Sequence, residues 1–368
     1  MQHYAGIWKA IIRPPRDTYN ISDLGPDEFS LGRRKFCRTD IELINQRKHR
    51  LKCSHFEPMV RVADKLPCVV YLHGNSSSRV EALSCVPVLL KFNITVFCLD
   101  LSGSGQSDGE YVSLGYYERD DLAVVVEHLR QSGTVGCIGL WGRSMGAATA
   151  LLHGDRDPSI AGMVLDSPFT NLRSLAEELV DVFIGVNLPK WIVSMALNMI
   201  RSSIKSRAKF DINDLSPISH VGESFIPAFF IAAENDTFIR PHHAKKLHDA
   251  YAGDKNYVIV PGDHNSARPR YVLDSVAIFF YNTLQCDSLP KPLPASRRGS
   301  KDDISPTDFA AAPVVSDPSG LNMRPPDRFI WGQDEEDLIM QKAIEESLLH
   351  VAAEEVPETV RIESNSFI

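Results

Sequence analysis

The chain has no C-x-x-C pair, no long apolar run and no excess of basic residues. Each absence removes a class of function. Its seven cysteines are scattered, with Cys68, Cys98 and Cys137 inside apolar strand-like runs, where thiols behave as small hydrophobes. A reduced protein in a cytoplasmic compartment is the expectation, with no disulfide framework and no zinc site. The longest strongly apolar stretch, Trp191 to Ile200, is too short to span a bilayer, so no transmembrane segment is expected. The first residues lack the basic leader and apolar core of a signal peptide, and Gln2 stands where N-myristoylation needs glycine. A peripheral membrane contact through Trp8, Ile11 and Ile12 competes with their burial against the rest of the chain. With 39 Lys and Arg against 47 Asp and Glu, the net charge of −8 offers no electrostatic footprint for nucleic acid. Asp100 to Gly109 is glycine-rich but has neither the P-loop lysine nor the G-x-G-x-x-G spacing, and reads as a structural loop. No internal repeat is found, and no cofactor or metal is expected.

What is present centres on Val135 to Ala150. An apolar run from Val135 to Trp141 suits a buried parallel strand. Gly142-Arg143-Ser144-Met145-Gly146 follows, then a small-residue helical segment. Strand, sharp turn and helix are the context in which G-x-S-x-G forms a nucleophile elbow, with Ser144 exposed at the strand's end.

Around this stretch, strand and helix signals alternate. Two strand-like pieces flank Asn45-Gln46-Arg47 and suit an antiparallel hairpin. Strands are predicted at Cys68–Leu72, Ile94–Leu99, Ala161–Leu165, Pro227–Ala233 and Tyr257–Val260. Helices are predicted at Glu81–Phe92, Tyr116–Gln131, from Pro241, and at Arg270–Leu284. Such alternation implies right-handed crossovers and a mostly parallel sheet with helices on both faces. Residues 169–215 interrupt it with a helical insertion placed where a lid would sit. The expected organisation is an irregular lead-in over 1–32 and a catalytic domain over 33–285. A disordered linker over 286–329, a helix over 330–352 and a flexible tail over 353–368 follow. Arg297-Arg-Gly-Ser300 in the linker has the form of a basophilic kinase site.

A serine hydroxyl needs a base, and the base an orienting group. His264, in the Pro261-Gly-Asp-His loop after the last strand, is the candidate base. Asp236, after the strand 227–233, is the candidate acid, with Asp166 as its rival. Asp263 abuts His264 but points elsewhere, and His242, His243 and His248 fall on a predicted helix. The oxyanion donors are the amides of Met145, next to the nucleophile, and Asn75, in the His73-Gly74-Asn75 loop.

Together these residues, with Asp100-x-Ser-Gly-x-Gly-x-Ser107 and Gly262-Asp-His264-Asn265, resemble the α/β-hydrolase superfamily over residues 66–285. The branch they are similar to contains serine-aminopeptidase-like hydrolases and protein depalmitoylases. The resemblance implies an α/β-hydrolase fold and cleavage of an ester, thioester or amide through an acyl-enzyme, with a small-molecule or acylated-protein substrate. The depalmitoylases' N-terminal cysteine cluster has no counterpart, since the first cysteine is Cys37. Two other readings stay open: a catalytically silent scaffold, and a peptidase whose lid carboxylate, Glu177 or Glu178, holds a substrate amine.

Asp334 to His350 reads as a helix with acidic residues in its first turn, where the macrodipole favours them. Ile339, Ala343 and Ser347 share one face beside Ile344. The stretch resembles a ubiquitin-interacting motif, which implies ubiquitin as a partner.

Overall fold

The computed structural model describes residues 8–9, 11–184 and 190–290. In chain order its elements are β1 Glu28–Leu31, β2 Arg34–Ile44, β3 Arg50–Pro58, β4 Leu66–Leu72, α1 Val86–Leu90, β5 Thr95–Leu99, α2 Glu118–Gln131, β6 Val135–Arg143, α3 Met145–Gly154 and β7 Gly162–Asp166. The inserted helices α4 Leu172–Ile184 and α5 Lys190–Ala208 follow. Then come β8 Ala228–Ala233, α6 Pro241–Ala250, β9 Lys255–Val260 and α7 Arg270–Thr283.

The strands form one nine-stranded sheet ordered β1-β2-β3-β5-β4-β6-β7-β8-β9. The first three join antiparallel, and every pairing from β5 to β9 is parallel. The alternation of side chains along a strand explains why both faces are covered. Cys68, Val70 and Leu72 face a core with Leu122 and Val126 of α2 and Ala147 and Leu151 of α3. Val69 and Tyr71, one residue out of phase, face a second core with Leu89 of α1 and Val276 and Phe280 of α7. A third cluster joins Leu175 and Leu179 of α4 to Leu197 and Ile200 of α5, with Trp8 and Ile12 among them.

Three sequence expectations are corrected, and one open alternative is decided. The lead-in is not wholly irregular, because Glu28–Leu31 pairs with β2 as the edge strand. The helix expected over 81–92 is broken into a 3-10 segment, Arg79–Ser84, and the short α1. Pro87 is the cause: it has no N–H to donate to Leu83, its ring clashes with that carbonyl, and it is tolerated only in the first turn of the new helix α1. The linker does not start at 286, since Cys286 is buried against the α7 side of the core in a 3-10 turn, Cys286–Ser288. Trp8 and Ile12 are buried, with the Arg207 guanidinium 4.3 Å from the Trp8 ring, so neither presents a face to a membrane.

All seven cysteines are unpaired. Among the described residues, no helix is long and apolar enough to cross a membrane. The linker from 291 on, Ser300, the helix 330–352 and the tail 353–368 lie outside the described residues.

Candidate active site

Because β4, β6, β7, β8 and β9 are parallel, their carboxyl ends share one edge of the sheet. Asn75 follows β4, Ser144 follows β6, Asp236 follows β8 and His264 follows β9. Their convergence is therefore a consequence of topology before any side chain is considered.

The turn at Ser144 is strained, with φ +51° and ψ −114° at a residue that carries a side chain. Two glycines make it possible. A Cβ on Gly142 would lie 2.2 Å from the Gly146 carbonyl oxygen, and one on Gly146 would lie 2.0 Å from that of Leu72. Strand and helix thus meet at backbone contact. The Ser144 amide donates to the Asp166 carbonyl at 2.8 Å, which anchors the turn to β7.

Ser144 Oγ lies 3.2 Å from His264 Nε2, and His264 Nδ1 lies 2.7 Å from Asp236 Oδ2. The other Asp236 oxygen accepts the amides of Phe238 at 3.0 Å and Ile239 at 2.6 Å. The carboxylate is buried and fully engaged, so its orientation toward His264 is fixed. The Phe238 ring lies 5.2 Å from the imidazole. The rival acid is committed elsewhere. Asp166 is paired bidentately with Arg268, at 2.8 and 2.9 Å. Burial alone would raise its pKa, but the Arg268 charge and hydrogen bonds hold the carboxyl below its ordinary range. Asp263 accepts from Asn265 and Ser266 and so only closes its own turn.

Two arginines brace this constellation. Arg268 donates to the carbonyls of Asp263 and Ser266, tying the loop that carries His264 to β7. Arg143, the second residue of the elbow motif, donates to the His264 carbonyl at 2.6 Å and pairs with Glu81 at 3.3 Å. Glu81 in turn accepts the Gly74 amide at 3.0 Å and the Tyr71 hydroxyl at 3.0 Å. Desolvation works against the Glu81 charge, yet the Arg143 guanidinium and the Gly74 N–H keep its pKa lowered. One buried pair thereby links the His264 loop to the loop carrying Asn75. Sequence reasoning passed over Glu81 and Arg268. No spacing rule couples either to residues sixty or a hundred positions away. Arg143 stood inside the motif, but as a position open to any residue.

Ser144, Asn75 and Met145 line one cavity that is open to solvent. The rest of its lining is apolar. Leu172, Leu175, Ala176 and Leu179 come from α4, Leu197 and Ile200 from α5, and Phe238 and Ile239 from the loop after β8. Glu177 pairs with Arg173, and Glu178 faces His242 and His243. Neither carboxylate lines the cavity. The Asp100 loop is structural, as expected: the Asp100 carboxylate accepts from the Arg79 and Gln106 amides and the Tyr19 hydroxyl. Ile339, Ala343, Ile344 and Ser347 lie outside the described residues.

Comparison with known proteins agrees with this architecture. A family model described as serine aminopeptidase, S33, matches residues 64–216. A second, for PhoPQ-activated pathogenicity-related protein, matches residues 146–305. The uncharacterized protein YqkD of Bacillus subtilis is 29% identical over 201 residues, which are 53% of this chain and 64% of that protein. The lysophosphatidylserine lipase ABHD12 of Danio rerio is 27% identical over 198 residues, 52% of this chain and 48% of the lipase. The chain thus spans about half to two thirds of the length of these relatives. The structure of the Pyrococcus furiosus esterase Pf2001 superposes with a TM-score of 0.54 at 23% identity, covering 73% of this chain and 99% of the esterase. The sheet order, the elbow and these likenesses establish an α/β-hydrolase fold.

Proposed function

Proceeding from an α/β-hydrolase fold, we propose that the chain is a serine hydrolase that cleaves carboxylic esters with an apolar acyl chain. One observation carries the reading: a serine hydroxyl 3.2 Å from an oriented imidazole stands at the wall of an apolar cavity. Ser144 Oγ attacks the ester carbonyl carbon while His264 Nε2 takes its proton, and Asp236 holds the imidazole in the needed tautomer. The oxyanion is stabilised by the amides of Asn75 and Met145. Collapse expels the alcohol, which leaves with the proton from His264. Water, deprotonated by the same imidazole, then releases the acid from Ser144.

The cavity supports an ester over a peptide. A substrate ammonium would have to enter among leucine and isoleucine side chains, where an unpaired charge is costly. The two lid carboxylates that could receive it are paired outside the cavity. The lipase activity of the Danio rerio relative supports the ester reading.

A series of p-nitrophenyl esters tests it. Each buried methylene contributes about 0.8 kcal/mol. The kcat/KM is therefore expected to rise by up to about fourfold per added methylene until the cavity is filled. Ala176→Trp, which fills the cavity from α4, is expected to move the optimum to shorter chains. A profile flat from acetate to decanoate in both proteins sinks the acyl-cavity assignment.

We propose further that the acidic segment 330–352, whose spacing predicts a helix, binds ubiquitin through Ile339, Ala343, Ile344 and Ser347. The support is the residue pattern alone: a small alanine at the centre lets a helix approach a flat apolar patch. Labelled ubiquitin should show chemical-shift changes with the wild-type chain and none with Ala343→Asp. Equal changes with both would exclude this face.

A further inference from the structure

Outside the cavity lining, three side chains from two distant parts of the chain come together. His242 and His243 open helix α6, and Glu178 comes from the inserted helix α4. His242 Nε2 lies 2.9 Å from one Glu178 oxygen, and His243 Nε2 lies 3.3 Å from the other. The three ligand atoms all lie within 4.8 Å of one another. We propose that Glu178, His242 and His243 form a divalent-cation site suited to Zn²⁺, which clips the inserted helix α4 to α6.

The two histidine–carboxylate separations are close to the edges of a coordination shell. Zinc bonds to imidazole nitrogen and carboxylate oxygen are about 2.0–2.2 Å, and a tetrahedron of such bonds has edges of roughly 3.3 Å. The two imidazoles stack at 4.5 Å with 27° between their planes, so both present Nε2 to the same carboxylate. His243 is 1% exposed, and its Nε2 has no hydrogen-bond partner, nor has the Glu178 oxygen it faces. A buried imidazole nitrogen and a buried carboxylate oxygen held 3.3 Å apart without a hydrogen bond between them are unusual, and a shared cation satisfies both. Thr170 supplies the outer contact that orients a metal-bound histidine. Its hydroxyl lies 2.9 Å from His243 Nδ1 and its amide donates to the same nitrogen at 3.3 Å, so the ring is held with Nε2 toward Glu178. Two nitrogens and a carboxylate are the borderline donor set that zinc takes in preference to calcium or magnesium.

The place of the site gives it a consequence. Leu175, about one turn before Glu178 on α4, and Leu179, next to it, line the cavity from one side. Phe238 and Ile239, in the loop that leads into α6, line it from another. A cation held between the two helices ties those walls together. This inference does not depend on the hydrolase reading.

The test is metal binding by the full chain after treatment with a chelator. Titrated with ZnCl₂ against a chromogenic indicator, the wild-type chain is expected to bind one equivalent that His242→Ala and Glu178→Gln bind about 100-fold more weakly or worse. Both side chains are partly exposed, at 37% and 24%, so the variants are expected to fold, which circular dichroism checks. His220→Ala, which removes an imidazole paired with Asp155 elsewhere, should bind as wild type. Co²⁺ in place of zinc should give tetrahedral d–d bands that both site variants lose. A wild-type chain that takes up no zinc, or site variants that bind it undiminished, would overturn the proposal.

Discussion

Ser144→Ala is expected to lower turnover by about 10⁴-fold or more and to abolish labelling by a fluorophosphonate probe. The substitution removes one oxygen whose hydrogen-bond partner is His264 Nε2, at 3.2 Å. The fold should survive, because alanine meets the same backbone strain as serine at φ +51° and leaves the Ser144 amide bond to Asp166 in place. Urea unfolding should therefore be near wild type while kcat collapses and KM changes little. His264→Ala should cost a similar factor. The double variant should cost hardly more than either, since residues acting as one unit are not additive. Labelling that persists in Ser144→Ala would place the nucleophile elsewhere. No labelling of the wild-type chain would favour a silent scaffold.

Arg143→Met carries the second large effect, on stability and rate together. The guanidinium and its partner Glu81 have side chains only 22% and 9% exposed. Removing the cation leaves Glu81 buried and unpaired beside Tyr71 and the Gly74 amide, which typically costs about 3–5 kcal/mol. The methionine still fills the space, so packing loss should be minor. Activity should fall through kcat, because the His264 carbonyl loses its donor and the Gly74–Asn75 loop loses its anchor. Adding Glu81→Gln to Arg143→Met should return part of the stability, since the stranded charge is gone, without returning the rate. The urea midpoints of the four proteins in this cycle give the coupling directly. Additive values, within about 0.5 kcal/mol, would mean that the pair is not coupled.

How much of this was legible beforehand differs from residue to residue. The β6 strand, the elbow and α3 were readable because each is encoded within about fifteen consecutive residues. The hairpin of β2 and β3 was legible from the strand-like pieces on either side of Asn45. The 81–92 helix was misdrawn, although Pro87 stood in plain view as the breaker. His264 was found from its Pro-Gly loop after an apolar strand. Asp236 was favoured over Asp166, but both follow strands, and no local signal separates them. The Asp166–Arg268 pair separates them, across 102 positions of chain.

By itself the sequence determined the alternation of strands and helices. It also determined the order serine, acid, histidine, and the glycines that let a strained serine sit between strand and helix. These are properties of neighbouring residues, and they set backbone conformation directly through side-chain bulk, branching and hydrogen-bonding capacity. Only the tertiary structure decided which carboxylate meets the imidazole, that Glu81 and Arg143 brace two loops, what lines the cavity, and that Glu178 reaches a histidine pair. Those outcomes depend on where the sheet order carries segments 28 or more residues apart, and a charge or an imidazole leaves no mark in the string of the partner that packing will bring to it.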